Sequence, residues 1–247
     1  MRHRHVWFLI AGVLLTALAA MAAAPQDAVA PPPRSILFIG DSLTYSQNGI
    51  YFHLEKMAAS AKPPLTIKAE KAVVPGASLK MLWERATEPR QFIAQGAYEV
   101  VVIQEDLPET DIPSFRDYAR RFVAEVDRPQ SRPVLLMAWA YRRLGWISMA
   151  EIAQAHRDVS LELGVDVAPV GLAWERAMKE RPDIDLFVAD REHPSIYGTY
   201  LATAVVYTTV FDKDPSALTY LPPGVTAEVG AFLRRVAWQT CQEYRRL

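Results

Sequence analysis

Residues 35–44 read SILFIGDSLT: an apolar run of strand length that ends at Gly40 and is followed directly by Asp41, Ser42, Leu43 and Thr44. A run with no polar alternation predicts a strand covered on both faces, as in a parallel sheet. Gly-Asp-Ser is turn chemistry, and QNGIYFHLEKMAA downstream reads as the start of a helix. Helix N-terminal amides favour developing negative charge. In sheets of this type ligands gather outside the carboxyl ends of the strands, so the Ser42 hydroxyl is placed where a nucleophile belongs. Taken alone, the tripeptide is equally well an ordinary strand-to-helix turn.

Working outward, LTIKAEKAVV, YEVVVIQ, RPVLLMAWAY and VDVAPVG are further candidate strands. Helical periodicity covers 50–61, 149–163, 174–180, 196–210 and 227–246. It is clearest in SFRDYARRFVAEVD, where Phe115, Tyr118, Phe122 and Val126 recur at steps of three and four, with Ser114 as the expected N-cap. Strands alternating with helices predict an α/β domain, a parallel sheet with helices on both faces. No repeat interrupts it, and one domain over 35–247 is expected.

The N-terminus has a different character. MRHRH precedes VWFLIAGVLLTALAAMAAA, the basic, apolar and small-residue order of an export signal. A cut after Ala22, with Ala20 at the −3 position, avoids placing Pro directly behind it. Residues 1–22 are therefore expected to be a signal peptide and the Pro-rich 23–34 a stiff tether. The alternative is an uncleaved membrane anchor, since the run approaches the roughly 20 residues that span a bilayer. Cleavage would leave 25 basic against 28 acidic residues, a net charge of −3. No basic excess suits nucleic acid. Cys241 has no second cysteine to pair with, and we expect it half-buried on a helix. The expected location is periplasmic or secreted.

The second chemical signal is Asp190-Arg191-Glu192-His193-Pro194-Ser195. A carboxylate three residues before a histidine can accept from its Nδ1–H within one loop, leaving Nε2 to take a serine proton. GDSLT behind the first strand and DxxHP before the last apolar helix together resemble the first and last signature blocks of the SGNH/GDSL hydrolase family, over 35 to about 210. That resemblance implies a three-layer α/β/α sandwich, flavodoxin-like, with a five-stranded parallel sheet. It also implies an acyl-enzyme mechanism with Ser42 as nucleophile, His193 as base and Asp190 orienting the imidazole. Gly76, in VVPGASL, matches the glycine whose backbone N–H helps to hold the oxyanion with that of Ser42. The family's GxND block is missing; the third strand runs into Gln104-Glu105-Asp106, and Gln104 is the expected substitute donor because an ionised Asp106 can only accept.

The expected function is an exported ester hydrolase on small-molecule, glycan or lipid esters, with no metal, no cofactor and no nucleic-acid partner. An O-acyltransferase and a non-catalytic carbohydrate-binding protein of the same fold remain the alternatives. Trp83, Trp139, Tyr141 and Trp146 invite a sugar-platform reading, but packing is the expectation. His53 and His156 lack ligand spacing, and Asp183 and Asp185 read as solvated loop acids.

Overall fold

The apolar runs become five strands, β1 (Ser35–Gly40), β2 (Lys68–Val73), β3 (Val100–Gln104), β4 (Arg132–Leu136) and β5 (Asp166–Ala168). All pair in parallel in the order β2-β1-β3-β4-β5. This is a computed structural model, which describes residues 31–96, 98–126 and 131–246. The proposed signal peptide and most of the tether lie outside the described residues. From Pro32 onward the chain forms one compact unit.

Period-two alternation decides which layer each strand residue joins. Ile36, Phe38, Val100, Val102, Val134 and Leu136 face one core, and Leu37, Ile39, Val101, Ile103 and Leu135 face the other. The first core is closed by α2 (Ile50–Ala59), α7 (Val170–Glu180), α8 (Ile196–Phe211) and α9 (Ala227–Tyr244). The second is closed by α3 (Leu79–Glu84), α4 (Glu88–Gln95), α5 (Ile112–Val126) and α6 (Met149–Leu163). The result is the expected three-layer α/β/α sandwich. Helix α8 is buried at every position from Gly198 to Phe211 and packs on α2, α7 and α9. An apolar surface all round suits an inner helix. Among the described residues no helix is long and apolar enough to cross a membrane.

Three local expectations need correction. Helix α5 starts at Ile112, and the Ser114 amide donates to Asp111 Oδ1 at 2.7 Å. Asp111 is therefore the capping side chain and Ser114 lies in the first turn, where Pro113 is tolerated because its missing N–H has no intrahelical partner. Strand β4 stops at Leu136, so Trp139 and Tyr141 belong to the loop behind it. Cys241 is 2 % exposed, fully rather than half buried, because α9 lies against α8.

The topology itself selects the site. From β1 the chain goes to β2 on one side and then crosses to β3 on the other, so the connections diverge between β1 and β3. Crevices form at such switch points, beyond the carboxyl ends of the strands.

Candidate active site

Ser42 is the first residue of a single helical turn, α1 (Ser42–Tyr45), directly behind β1. Asp41 caps that turn by accepting from Leu43 N at 2.8 Å. The turn is pressed hard against β3: a Cβ on Gly40 would lie 2.4 Å from Gln104 Oε1 and 2.8 Å from Thr44 Oγ1. Residue 40 must therefore be glycine for Ser42 to sit at this depth.

The second half of the site is the loop between α7 and α8. His193 Nδ1 lies 2.9 Å from Asp190 Oδ2, and His193 Nε2 lies 2.9 Å from Ser42 Oγ, across 151 residues of sequence. An ionised carboxylate only accepts, so Nδ1 carries the proton, Nε2 is the acceptor and the Ser42 hydroxyl donates. Asp190 Oδ1 accepts from the backbone N–H groups of Glu192 and His193, both at 2.9 Å. Desolvation alone would raise the Asp190 pKa; those two N–H groups and the His193 ring outweigh it and hold the carboxyl below its ordinary range.

This loop is fastened from several sides. Val188 N donates to His193 O at 2.9 Å, and Trp139 Nε1 donates to Glu192 O at 2.9 Å. The Arg143 guanidinium bridges Glu192 and Glu109, and Arg142 N donates to Arg191 O at 3.0 Å. Arg191 has φ 62°, a left-handed conformation for a non-glycine residue of the kind that clusters at functional sites. The loop behind β4 thus holds the loop that carries His193.

Gly76 stands in the turn behind β2 with φ 63°, exposed, and with nothing within 4 Å of where a Cβ would be. The turn is stitched to the end of β1, since Val74 N donates to Gly40 O at 3.1 Å. The amides of Ser42 and Gly76 donate to no group among the described residues. Both are free donors on the same edge of the sheet.

Gln104 has a different task from the expected one. Its Oε1 accepts from Asp41 N at 2.9 Å and Thr44 Oγ1 at 3.0 Å, which fixes the Ser42 turn from beneath. Its Nε2 is wholly buried and has no partner among the described residues. A donor without exposed surface does not meet a substrate oxygen, so the expectation of Gln104 as a direct oxyanion donor is revised to support of the turn.

Sequence reasoning also missed a buried acidic layer behind Ser42. Glu105 is 0 % exposed and accepts from Leu79 N at 3.2 and 3.3 Å and from Asp106 N at 3.0 Å, tying β3 to the start of α3. Asp106 accepts from Tyr141 OH at 2.6 Å. Burial pushes Glu105 up to about 8. Burial and then the neighbouring Asp106 charge push Asp41 up to about 7, and burial pushes Asp106 up to about 6 against the Tyr141 hydrogen bond. The signal was present as three acids at two adjacent strand ends, but their mutual approach depends on β1–β3 pairing.

This layer predicts a pH dependence. These folded-state pKa values stand above the ordinary values of 3.8 and 4.5, so the folded protein binds more protons than the unfolded chain between about pH 4 and 8. The associated stability is complete below the ordinary carboxyl range and is lost as pH rises through the folded values. Thermal unfolding is expected at higher temperature at pH 5.5 than at pH 8.5. Glu105→Gln keeps an acceptor for Leu79 and should shrink that difference by at least about 2 °C; a difference unchanged in the variant would show that Glu105 does not titrate in this window.

The other candidates fall out of the site. Trp139 is buried and stacked on Trp174, with ring centroids 3.8 Å apart. Trp83 packs on Phe122, and Tyr141 is buried on Asp106. Trp146 is 69 % exposed, with its Nε1 on Pro108 O. His156 is buried with Nδ1 on Ile152 O. Asp183 pairs with Arg181, and Asp185 with Arg191. Among the described residues no group of three or more His, Cys, Asp or Glu side chains is arranged to hold a metal ion.

A parallel 2-1-3-4-5 sandwich with a Ser-His-Asp chain across its switch point defines a class: the fold is that of the SGNH/GDSL hydrolases. Solved structures that resemble the chain include the following three. A DUF4886 family protein from Bacteroides uniformis superposes with a TM-score of 0.72 at 15 % identity, over 85 % of this chain and 95 % of that one. A protein from Slackia heliotrinireducens described as a candidate SGNH hydrolase gives 0.59 at 23 %, over 71 % and 98 %. A mutant of Axe2, an acetyl-xylooligosaccharide esterase from Geobacillus stearothermophilus, gives 0.57 at 18 %, over 72 % and 94 %. No protein-family model and no curated protein sequence matches the chain.

Proposed function

We propose that this chain is an exported serine ester hydrolase that works through an acyl-enzyme. The observation that carries the reading is the continuous hydrogen-bonded chain from Ser42 Oγ through His193 to Asp190. Ser42 Oγ attacks the ester carbon while its proton passes to His193 Nε2, and the carbonyl oxygen becomes an oxyanion facing the free amides of Ser42 and Gly76. His193 then returns that proton to the departing alkoxide, leaving the acyl group on Ser42. Water enters from the open side of the site and gives a proton to the same nitrogen. Its oxygen takes the acyl carbon, and the collapsing intermediate regains Ser42 Oγ–H and releases the acid. Asp190 stays ionised throughout and stabilises the imidazolium. The export component rests on the basic-apolar-small order of residues 1–24. An acetylated glycan as substrate is supported by the shared fold of the acetyl-xylooligosaccharide esterase.

Incubation with a fluorophosphonate tests the reading. A single adduct is expected on the peptide containing Ser42, absent from Ser42→Ala and strongly slowed in His193→Ala. No adduct, or an adduct on another serine, would refute the proposal.

A further inference from the structure

A groove of about 500 Å³ opens between Gln47, Asn48, Phe52, His53 and Lys56 on one wall and Ile196, Tyr220, Pro222 and Pro223 on the other. Each wall continues along the chain from one of the two candidate catalytic segments. Gln47 follows Ser42 by five residues and Ile196 follows His193 by three. The groove lies on the layer of α2 and α8, whereas the Gly76 turn leads into α3 on the opposite layer. In ester cleavage the imidazole must reach the oxygen of the departing alcohol, so the alcohol half lies on the His193 side and the oxyanion on the other.

The groove is held open by hydrogen bonds within the protein. His53 is 1 % exposed and spans both walls, with Nε2 on Gln47 O at 2.7 Å and Nδ1 on Tyr220 OH at 2.9 Å. A carbonyl only accepts, so Nε2 carries the proton and the Tyr220 hydroxyl donates to Nδ1. The far wall is braced by Tyr200 OH donating to Tyr220 O at 2.7 Å, while Arg234 donates to that same hydroxyl at 2.7 Å. On the near wall Gln47 and Asn48 have φ 55° and 69°, consecutive left-handed residues ahead of Gly49 at 85°. Asn takes this conformation readily, whereas Gln47 does so less often, and the Gln47 carbonyl is the one that His53 holds.

The chemistry of the walls selects an occupant. Phe52, 36 % exposed, Tyr220 and the two prolines supply flat apolar faces. The side chains of Gln47 and Asn48 are exposed and hydrogen-bond no group among the described residues, so each offers a donor and an acceptor side by side. Among the described residues no carboxylate lines the groove, and the charged side chain there, Lys56, lies over the Phe52 ring at 5.5 Å. Flat apolar faces beside paired amides match a ring with apolar C–H faces and a rim of hydroxyls. An alkyl alcohol would use only the faces. The volume is within the roughly 300–1,000 Å³ of small-molecule sites. We propose that this groove is the subsite for the alcohol half of the ester and that it takes a neutral pyranose ring. The inference deepens the ester-hydrolase reading and rests on it for the identity of the leaving group.

The probes are methyl glucopyranosides carrying a single acetyl group at O2, O3, O4 or O6, which keep three hydroxyls free, methyl acetate, whose alcohol is too small to fill the groove, and cyclohexyl acetate, an apolar ring on an alkyl leaving group. In wild-type protein kcat/KM should be higher for the best of the sugar monoacetates than for cyclohexyl acetate. Phe52→Ala should lower the ratio of kcat/KM for that monoacetate to that for methyl acetate by about 3-fold to 10-fold, chiefly through KM. Asn48→Gly, which retains the left-handed backbone, should lower the same ratio. Equal loss on both substrates, or preference for the cyclohexyl ester, would overturn the subsite. Binding of the same monoacetate to Ser42→Ala protein by saturation-transfer NMR separates the two readings. Transfer that Phe52→Ala abolishes supports the groove even if no ester is turned over, which would sink the hydrolase alone. No transfer in Ser42→Ala protein would overturn the groove whatever the activity.

Discussion

Ser42→Ala is expected to lower kcat/KM on any turned-over ester by about 10⁴-fold to 10⁶-fold while leaving thermal stability close to wild type. The size follows from what is removed: the hydroxyl that stands 2.9 Å from His193 Nε2. The tolerance follows from the surroundings, because Ser42 Oγ supports no other part of the turn. Asp41 caps it and Gln104 holds it from below. His193→Ala should fall into the same range, and the double variant should lose little more, since each half of the pair is useless without the other. Multiplying losses would mean that the two side chains act in separate steps, and wild-type turnover in Ser42→Ala would place the chemistry elsewhere.

The second large effect is expected at Asp190, and its sign between variants is unusual. In Asp190→Asn the Oδ1 position is already committed to the N–H groups of Glu192 and His193, which demand an acceptor. The amide nitrogen must then take the Oδ2 position and point its protons at His193 Nδ1. That forces Nδ1 to accept and puts the imidazole proton on Nε2, where it faces the Ser42 hydroxyl and cannot receive its proton. A loss in kcat on the order of 10⁴-fold is expected, the magnitude known for the same tautomer reversal in other triads. Asp190→Ala should be the milder change. The Asp190 side chain is 47 % exposed, so water can replace the lost carboxylate and accept from Nδ1–H without reversing the tautomer. Steady-state kcat for the two variants checks this ordering; an Asn variant more active than the Ala variant would show that Asp190 does not set the tautomer of His193.

Much of this was open to a reader of the residues. SILFIG, YEVVVIQ and RPVLLMAWAY have strand character because both of their faces are apolar, the pattern of a strand covered on both sides, and because they are short and bounded by turn residues. The Ser42 turn and the Asp190–His193 loop were legible as candidates for another reason: each is local, so its chemistry is written in adjacent residues. Helices α3 and α4 were not legible. They span 6 and 8 residues, too short to build an amphipathic period, and their starts rest on the Ser78 cap and on Pro89 in the first turn. The cap of α5 was misplaced from Asp111 to Ser114 because both residues suit the position and only the backbone path chooses between them.

By itself, then, the sequence determined the layer architecture, through the apolar periodicity of its runs, and singled out Ser42, Asp190 and His193 as candidates, through two short motifs whose residues are chemical neighbours along the chain. What only the tertiary structure decided are contacts between segments far apart in sequence. It turned Gln104 from an oxyanion donor into the support of the Ser42 turn and gathered Asp41, Glu105 and Asp106 into one buried layer. It also set His53 between Gln47 and Tyr220, 173 positions apart along the chain. The physical reason is common to all three. An amide, a carboxyl or an imidazole has the same chemistry wherever it stands in the chain, and which of its atoms meets a partner depends on strand register and helix packing, which bring together residues that no motif spans.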